Sequence, residues 1–195
     1  SFLREEGVAA GPLDWATDLD LAGYDVVVVN GDGGDQVTDA EFDRLEVEAR
    51  RSGTGVVWTG TWGDEGGLRV LADHDDRVTL GADGFGDGAV RLTDQKRRHA
   101  LFKGINDPAT ILSAGSWWRT IKSYDGQRLA TQRVALESGG TATGIGAAWD
   151  WTSKRDVEVL LASLAATGTT GPDLGWTAAG ERLFLNAVEL ARDPS

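Results

Sequence analysis

The chain has 195 residues, with no cysteine, no methionine, eight tryptophans and 27 glycines. Without cysteine it has no thiol nucleophile, no disulfide and no zinc–thiolate site, and a net charge of −12 argues against gripping duplex nucleic acid through a basic face. A composition of 41% hydrophobic and 26% charged residues is that of a globular chain with one sizeable core.

Charge is uneven along the chain: residues 1–94 carry 21 acids and 7 bases, and residues 95–195 carry 10 acids and 12 bases. No run approaches the roughly 20 apolar residues of a membrane span, and no stretch has the pattern of a signal peptide. Residues 1–6 read as the tail of a helix already under way, with a weak strand near Gly7–Ala10. This start predicts a piece of a longer polypeptide whose opening strand lies upstream or comes from another segment.

Tyr24–Asn30 holds four consecutive valines, the mark of a strand buried on both faces. The loop Asn30–Asp35 follows it; a tight turn and a polyol or cation contact are its two readings. Thr38 and Glu41 form a capping box, with Phe42, Leu45 and Ala49 at helical spacing and Gly53 as the stop. Gly55–Thr59 is a second buried strand, and this strand–helix–strand unit predicts a right-handed parallel crossover. A short helix is expected over Glu65–Ala72. Six further strands are expected at 77–80, 89–92, 110–112, 119–124, 129–136 and 143–151, with turns at Asp125-Gly126 and Gly139-Gly140. Thr152 or Ser153 caps a predicted helix through Ala166 that buries Val157, Leu160, Leu161 and Leu164. Thr177 caps the last helix, whose apolar stripe is Ala179, Leu183, Phe184, Ala187, Val188 and Ala191. The sum is an α/β chain with a parallel core and an antiparallel insertion.

Five segments resemble the class I glutamine-amidotransferase-like superfamily, and within it the trehalose-utilisation type. They are LAGYDVVVVNGDGG (21–34), SGTGVVWTGTWGDEGG (52–67), HALFKGI (99–105), GGTATGIGAAWDW (139–151) and the closing stretch 160–191. The resemblance implies a three-layer flavodoxin-like sandwich with a mostly parallel central sheet, in one domain over 1–195. The position of the nucleophile elbow falls on Thr61, where catalytic members hold a cysteine, and the late histidine falls near Trp149–Trp151, where there is none. The resemblance therefore implies a non-catalytic accessory or interaction domain of a larger bacterial protein, extracellular or cell-surface, with a cytoplasmic address as the alternative. Its partners would be neighbouring domains, a protein or a carbohydrate, with no nucleic acid, membrane or cofactor.

The carboxyl edge of a parallel sheet is where such folds bind ligands. The candidate cleft is Asp32, Thr61, Trp62, Asp64, Trp149 and Asp150. Tryptophans on its rim suit stacking on sugar faces, and Asp64, Glu65 and Asp150 could pair as acid and base. Asp83 and Asp87, in a glycine-rich acidic loop, are the candidates for a hard cation, which wants clustered oxygens. A solvated loop is the alternative there. Carbohydrate-active and purely structural roles stand as further alternatives to the accessory domain.

Overall fold

A computed structural model describes residues 2–11, 19–30, 37–60, 66–86, 88–153, 156–164 and 175–193. In chain order the elements are α1 (Phe2–Glu5), β1 (Val26–Val29), α2 (Asp39–Ser52), β2 (Gly55–Thr59), α3 (Gly67–His74), β3 (Val78–Phe85) and β4 (Val90–Thr93). A single 3₁₀ turn (Ala100–Phe102) precedes β5 (Ala109–Leu112), β6 (Trp117–Tyr124), β7 (Gln127–Ala135), β8 (Thr141–Ser153), β9 (Asp156–Leu161) and α4 (Ala178–Arg192). Among the described residues no helix is long and apolar enough to cross a membrane.

The nine strands form one mixed sheet in the order β1-β2-β9-β8-β7-β4-β5, with β6 joining β8 and β3 joining β6. Among the described strands only two pairings are parallel, β1 with β2 and β2 with β9. All the others are antiparallel. This overturns the expected three-layer flavodoxin-like sandwich with a mostly parallel sheet. The parallel part is three strands wide, and the antiparallel part, expected as an insertion, supplies most of the sheet.

The largest single error is residues 156–161, expected as a helix and found as β9. Val157, Val159 and Leu161 face one core, which α4 covers; Leu160 faces the other, under α2 and α3. A strand buried on both faces has an unbroken apolar run, which periodicity alone does not separate from a buried helix. The decision came from the neighbours: β2 lies parallel on one side and β8 antiparallel on the other, and together they satisfy the backbone of β9.

Local signals elsewhere held. Thr38 Oγ1 accepts from the Glu41 amide at 3.4 Å, and Glu41 Oε2 accepts from the Thr38 amide at 2.8 Å. Gly53 closes α2 at φ 73°, in the left-handed region that suits glycine. Thr177 caps α4 by accepting from the Gly180 amide at 3.2 Å, and Leu183, Phe184, Ala187, Val188 and Ala191 are buried as the stripe requires. Gly67, the first residue of α3, presses against the end of β1, where a Cβ would collide with the Val29 carbonyl oxygen. That close approach seats α3 directly on the ends of β1 and β2.

Candidate functional site

The carboxyl ends of β1, β2 and β9 carry two sets of polar contacts. Thr59, fully buried, donates through Oγ1 to Asn30 Oδ1 at 2.8 Å and so ties the end of β2 to the end of β1. Beyond β9, Ser163 adopts φ 67°, a conformation that costs a non-glycine residue about 1–3 kcal/mol. The strain aims its hydroxyl back at β6. Ser163 Oγ donates to the Arg119 carbonyl at 2.6 Å, and accepts from the Arg119 amide at 2.9 Å and from Gln132 Nε2 at 2.8 Å. Gln132 Nε2 also donates to the Arg119 carbonyl at 2.8 Å.

From this anchored backbone the Arg119 side chain, only 5% exposed, reaches Asp83 of β3, where Nη2 donates to Oδ2 at 3.0 Å. The Asp83 carboxylate is 34% exposed. A buried guanidinium thus holds a partly exposed carboxylate in a fixed orientation, offering a ligand an acceptor. Asp83, a candidate cation ligand from the sequence, is here the partner of an arginine. Among the described residues no three acidic or histidine side chains come together as a metal site.

A second cluster lies toward the amino ends of the parallel strands. Arg77, just ahead of β3, donates through Nε and Nη2 to Asp75 Oδ2 at 2.7 and 2.5 Å. Its Nη1 donates to Asp150 Oδ2 at 2.9 Å and its Nη2 to Glu158 Oε2 at 3.3 Å. Trp58 Nε1 donates to the other Glu158 oxygen at 2.7 Å. Arg77, Asp150, Glu158 and Trp58 line a small groove that continues along α2 past Leu45, Glu46 and Ala49.

Three carboxylates around one guanidinium leave an excess of negative charge, and the proton affinities follow. Burial pushes the Glu158 carboxyl up, against the opposing pull of Arg77 and the Trp58 hydrogen bond. Burial opposes ionisation of Asp75 too, but its hydrogen bonds from Arg77 outweigh that and hold it below its ordinary value. The Asp75 hydrogen bond raises the affinity of Arg77 for its proton. The Tyr124 hydroxyl, buried without a hydrogen-bond partner, is pushed up by burial and then by Glu158 and Asp150.

The residues of the expected cleft divide. Asp32, Thr61, Trp62 and Asp64, together with Asp87 and Glu65, lie outside the described residues. Trp149 and Asp150 are adjacent on β8 but face opposite ways. Trp149 packs against the core under α4 and meets the His99 ring edge-on at 4.9 Å, whereas Asp150 joins Arg77. Asp150 pairs with Glu158, which pairs with Val56, while Thr59 pairs with Leu161 and Leu161 with Ala147. Asp150 therefore stands three residues, about 10 Å at strand rise, from the end of β2 that Thr61 follows. Because β8 runs antiparallel to β9, its glycine-rich middle lies near the carboxyl end, and its Trp-Asp-Trp end lies near the other.

The two histidines are held structurally. His74 bonds Asp39 and the Val37 carbonyl at 2.7 and 2.9 Å. His99 Nδ1 accepts from the Leu101 amide at 3.2 Å, capping the 3₁₀ turn. Burial, then Lys96, lowers the His99 proton affinity, which keeps that acceptor lone pair available.

Sequence reasoning missed Arg77, Arg119, Gln132, Glu158 and Ser163. The usable signal was a lone charge inside an apolar strand: Arg119 in WWRTI and Glu158 in VEVLL.

No family model and no curated protein sequence matches the chain. Solved structures do share its fold. A ThuA-like protein from Parabacteroides merdae superposes with a TM-score of 0.60 at 15% identity, over 100% of this chain and 82% of that one. A cytoplasmic protein from Salmonella typhimurium superposes with a TM-score of 0.58 at 12% identity, over 97% and 83%. The fold is thus that of a ThuA-like protein, in keeping with the trehalose-utilisation resemblance of the five segments.

Proposed function

We propose that the protein is a carbohydrate-binding module on a ThuA-like fold, working without thiol chemistry. The observation that carries this reading is the Arg119–Asp83 pair at the carboxyl end of the parallel strands. A sugar hydroxyl can donate, so it is met by the Asp83 carboxylate, which Arg119 fixes in place and which is 34% exposed. A phosphate is disfavoured, because the Asp83 carboxylate stands beside the Arg119 guanidinium. The fold of the ThuA-like neighbour supports the same reading. The absence of cysteine removes the nucleophile of the amidotransferase-like enzymes from the whole chain.

The test is calorimetric titration of the protein with maltotriose, cellotriose and xylotriose, followed by amide NMR. Saturable binding is expected with at least one of them, with shifts at Asn30, Thr59, Arg119 and Ser163. Binding of none, or shifts confined to Arg77, Asp150 and Glu158, overturns the reading.

A second reading, an interaction domain, is favoured by β1. It has a single sheet neighbour among the described strands, and an open strand edge is a template for an added strand.

A further inference from the structure

Four large apolar side chains are exposed among the described residues: Tyr24, Val47, Phe85 and Trp117. Phe85 and Trp117 touch each other, with ring centroids 4.2 Å apart and planes tilted by 44°. Phe85 is 54% exposed and Trp117 38%. They are paired residues at the last position of the β3–β6 ribbon, in a register that runs Asp83 to Arg119, Gly84 to Trp118 and Phe85 to Trp117.

Strand alternation decides what lies beside them. Asp83 and Phe85 share one face of β3, and Arg119 and Trp117 share the same face of β6. Gly84 and Trp118 fall on the other face, where Trp118 is buried in the core under α4. The result is two exposed rings with a fixed carboxylate–guanidinium pair about 7 Å further along the same face, a separation on the scale of one sugar ring. Phe85 keeps more than half of its surface in solvent, and Trp117 more than a third.

We propose that Phe85 and Trp117 form a stacking platform for the apolar face of a pyranose ring, with Asp83 taking a hydrogen bond from one of its hydroxyls. This rests on the carbohydrate reading above and places the sugar within it. Two rings fall far short of the roughly 800 Å² per partner of a stable protein interface. Their area instead matches one saccharide unit, whose C–H groups stack on aromatic faces while its hydroxyls stay in the ring plane. The Asp83 carboxylate, 34% exposed, suits one of those hydroxyls, and an apolar occupant over it would cost it solvent.

The experiment titrates wild type, Trp117→Ala, Phe85→Ala and Trp117→Phe with the same three trisaccharides, with near-ultraviolet circular dichroism and thermal melts as controls. Trp117→Ala and Phe85→Ala are expected to weaken binding about tenfold each, and Trp117→Phe to keep most of the affinity because it keeps a ring. Phe85, over half exposed, provides a variant whose folding is undisturbed if Trp117→Ala melts early. If wild type binds and both alanine variants bind equally well, the platform is overturned while the carbohydrate reading stands. If wild type binds none of the three, both fall together.

Discussion

The two ends of the parallel strands are built from the same side-chain types to opposite effect. At the carboxyl end the buried Arg119 guanidinium meets the Asp83 carboxylate, and the cost is carried by the backbone, in the left-handed Ser163. At the amino end one guanidinium meets three carboxylates, and the cost is carried by proton affinity, in Glu158. The Arg119–Asp83 pair lies on the same strand face as two exposed rings, with the carboxylate as its exposed member. The unbalanced cluster joins the α3–β3 turn to β8 and β9, with Glu46 of α2 at 4.0 Å. Clustered charge alone therefore does not mark the proposed binding end: the cluster with more acidic groups joins elements of the fold.

The comparison breaks most readily at Arg77. Its replacement by alanine removes the cation that bonds Asp75, Asp150 and Glu158. The expected loss is roughly 2–4 kcal/mol, below the full cost of a broken buried pair because the side chain is 31% exposed. Urea denaturation measures it, and sugar affinity at the other end should be unchanged. An unaltered midpoint would show that the cluster fastens nothing.

Ser163→Ala is the next largest. It deletes one hydroxyl donor and two acceptor interactions with Arg119 and Gln132 while leaving the left-handed backbone in place. The expected cost is about 1–3 kcal/mol. Weaker trisaccharide binding should accompany it, since the strand that holds Arg119 loosens. A stability loss with intact affinity would separate the hydroxyl from the site.

The smallest effect is expected at Glu158, and its sign is specific. A carboxyl that ionises less readily folded than unfolded disfavours folding above its folded pKa. That penalty fades as pH falls toward the ordinary glutamate value of 4.5, below which both states hold the proton. Glu158→Gln, which keeps an acceptor for Trp58, should melt at or slightly above wild type at neutral pH, and the gap should close on acidification. A neutral-pH loss comparable to that of Arg77→Ala would make Glu158 an indispensable partner of the guanidinium instead.

Much of the local structure was legible. Four valines before a glycine loop announced β1, Thr38 with Glu41 announced the start of α2, and Gly53 its end; each signal acts within one turn or one strand. Residues 156–161 were illegible for the opposite reason. Their apolar run fits a helix or a two-faced strand, and the pairing of β9 with β2, about 100 residues earlier, decides between them. The candidate site followed the same rule. Asp150 was visible as a carboxylate, but its end of the sheet depended on the direction of β8. Arg119 and Asp83, 36 residues apart, met only once β3 and β6 had paired.

The sequence by itself determined the caps, the apolar stripes, the absence of a thiol and the acidity of the first half, because these are properties of residue type and short spacing. The tertiary structure alone decided which strands are parallel and which face each side chain takes. It also decided which acids share a cation. Strand direction and register are set by partners distant in the chain, and a one-residue difference in register moves every side chain to the other face.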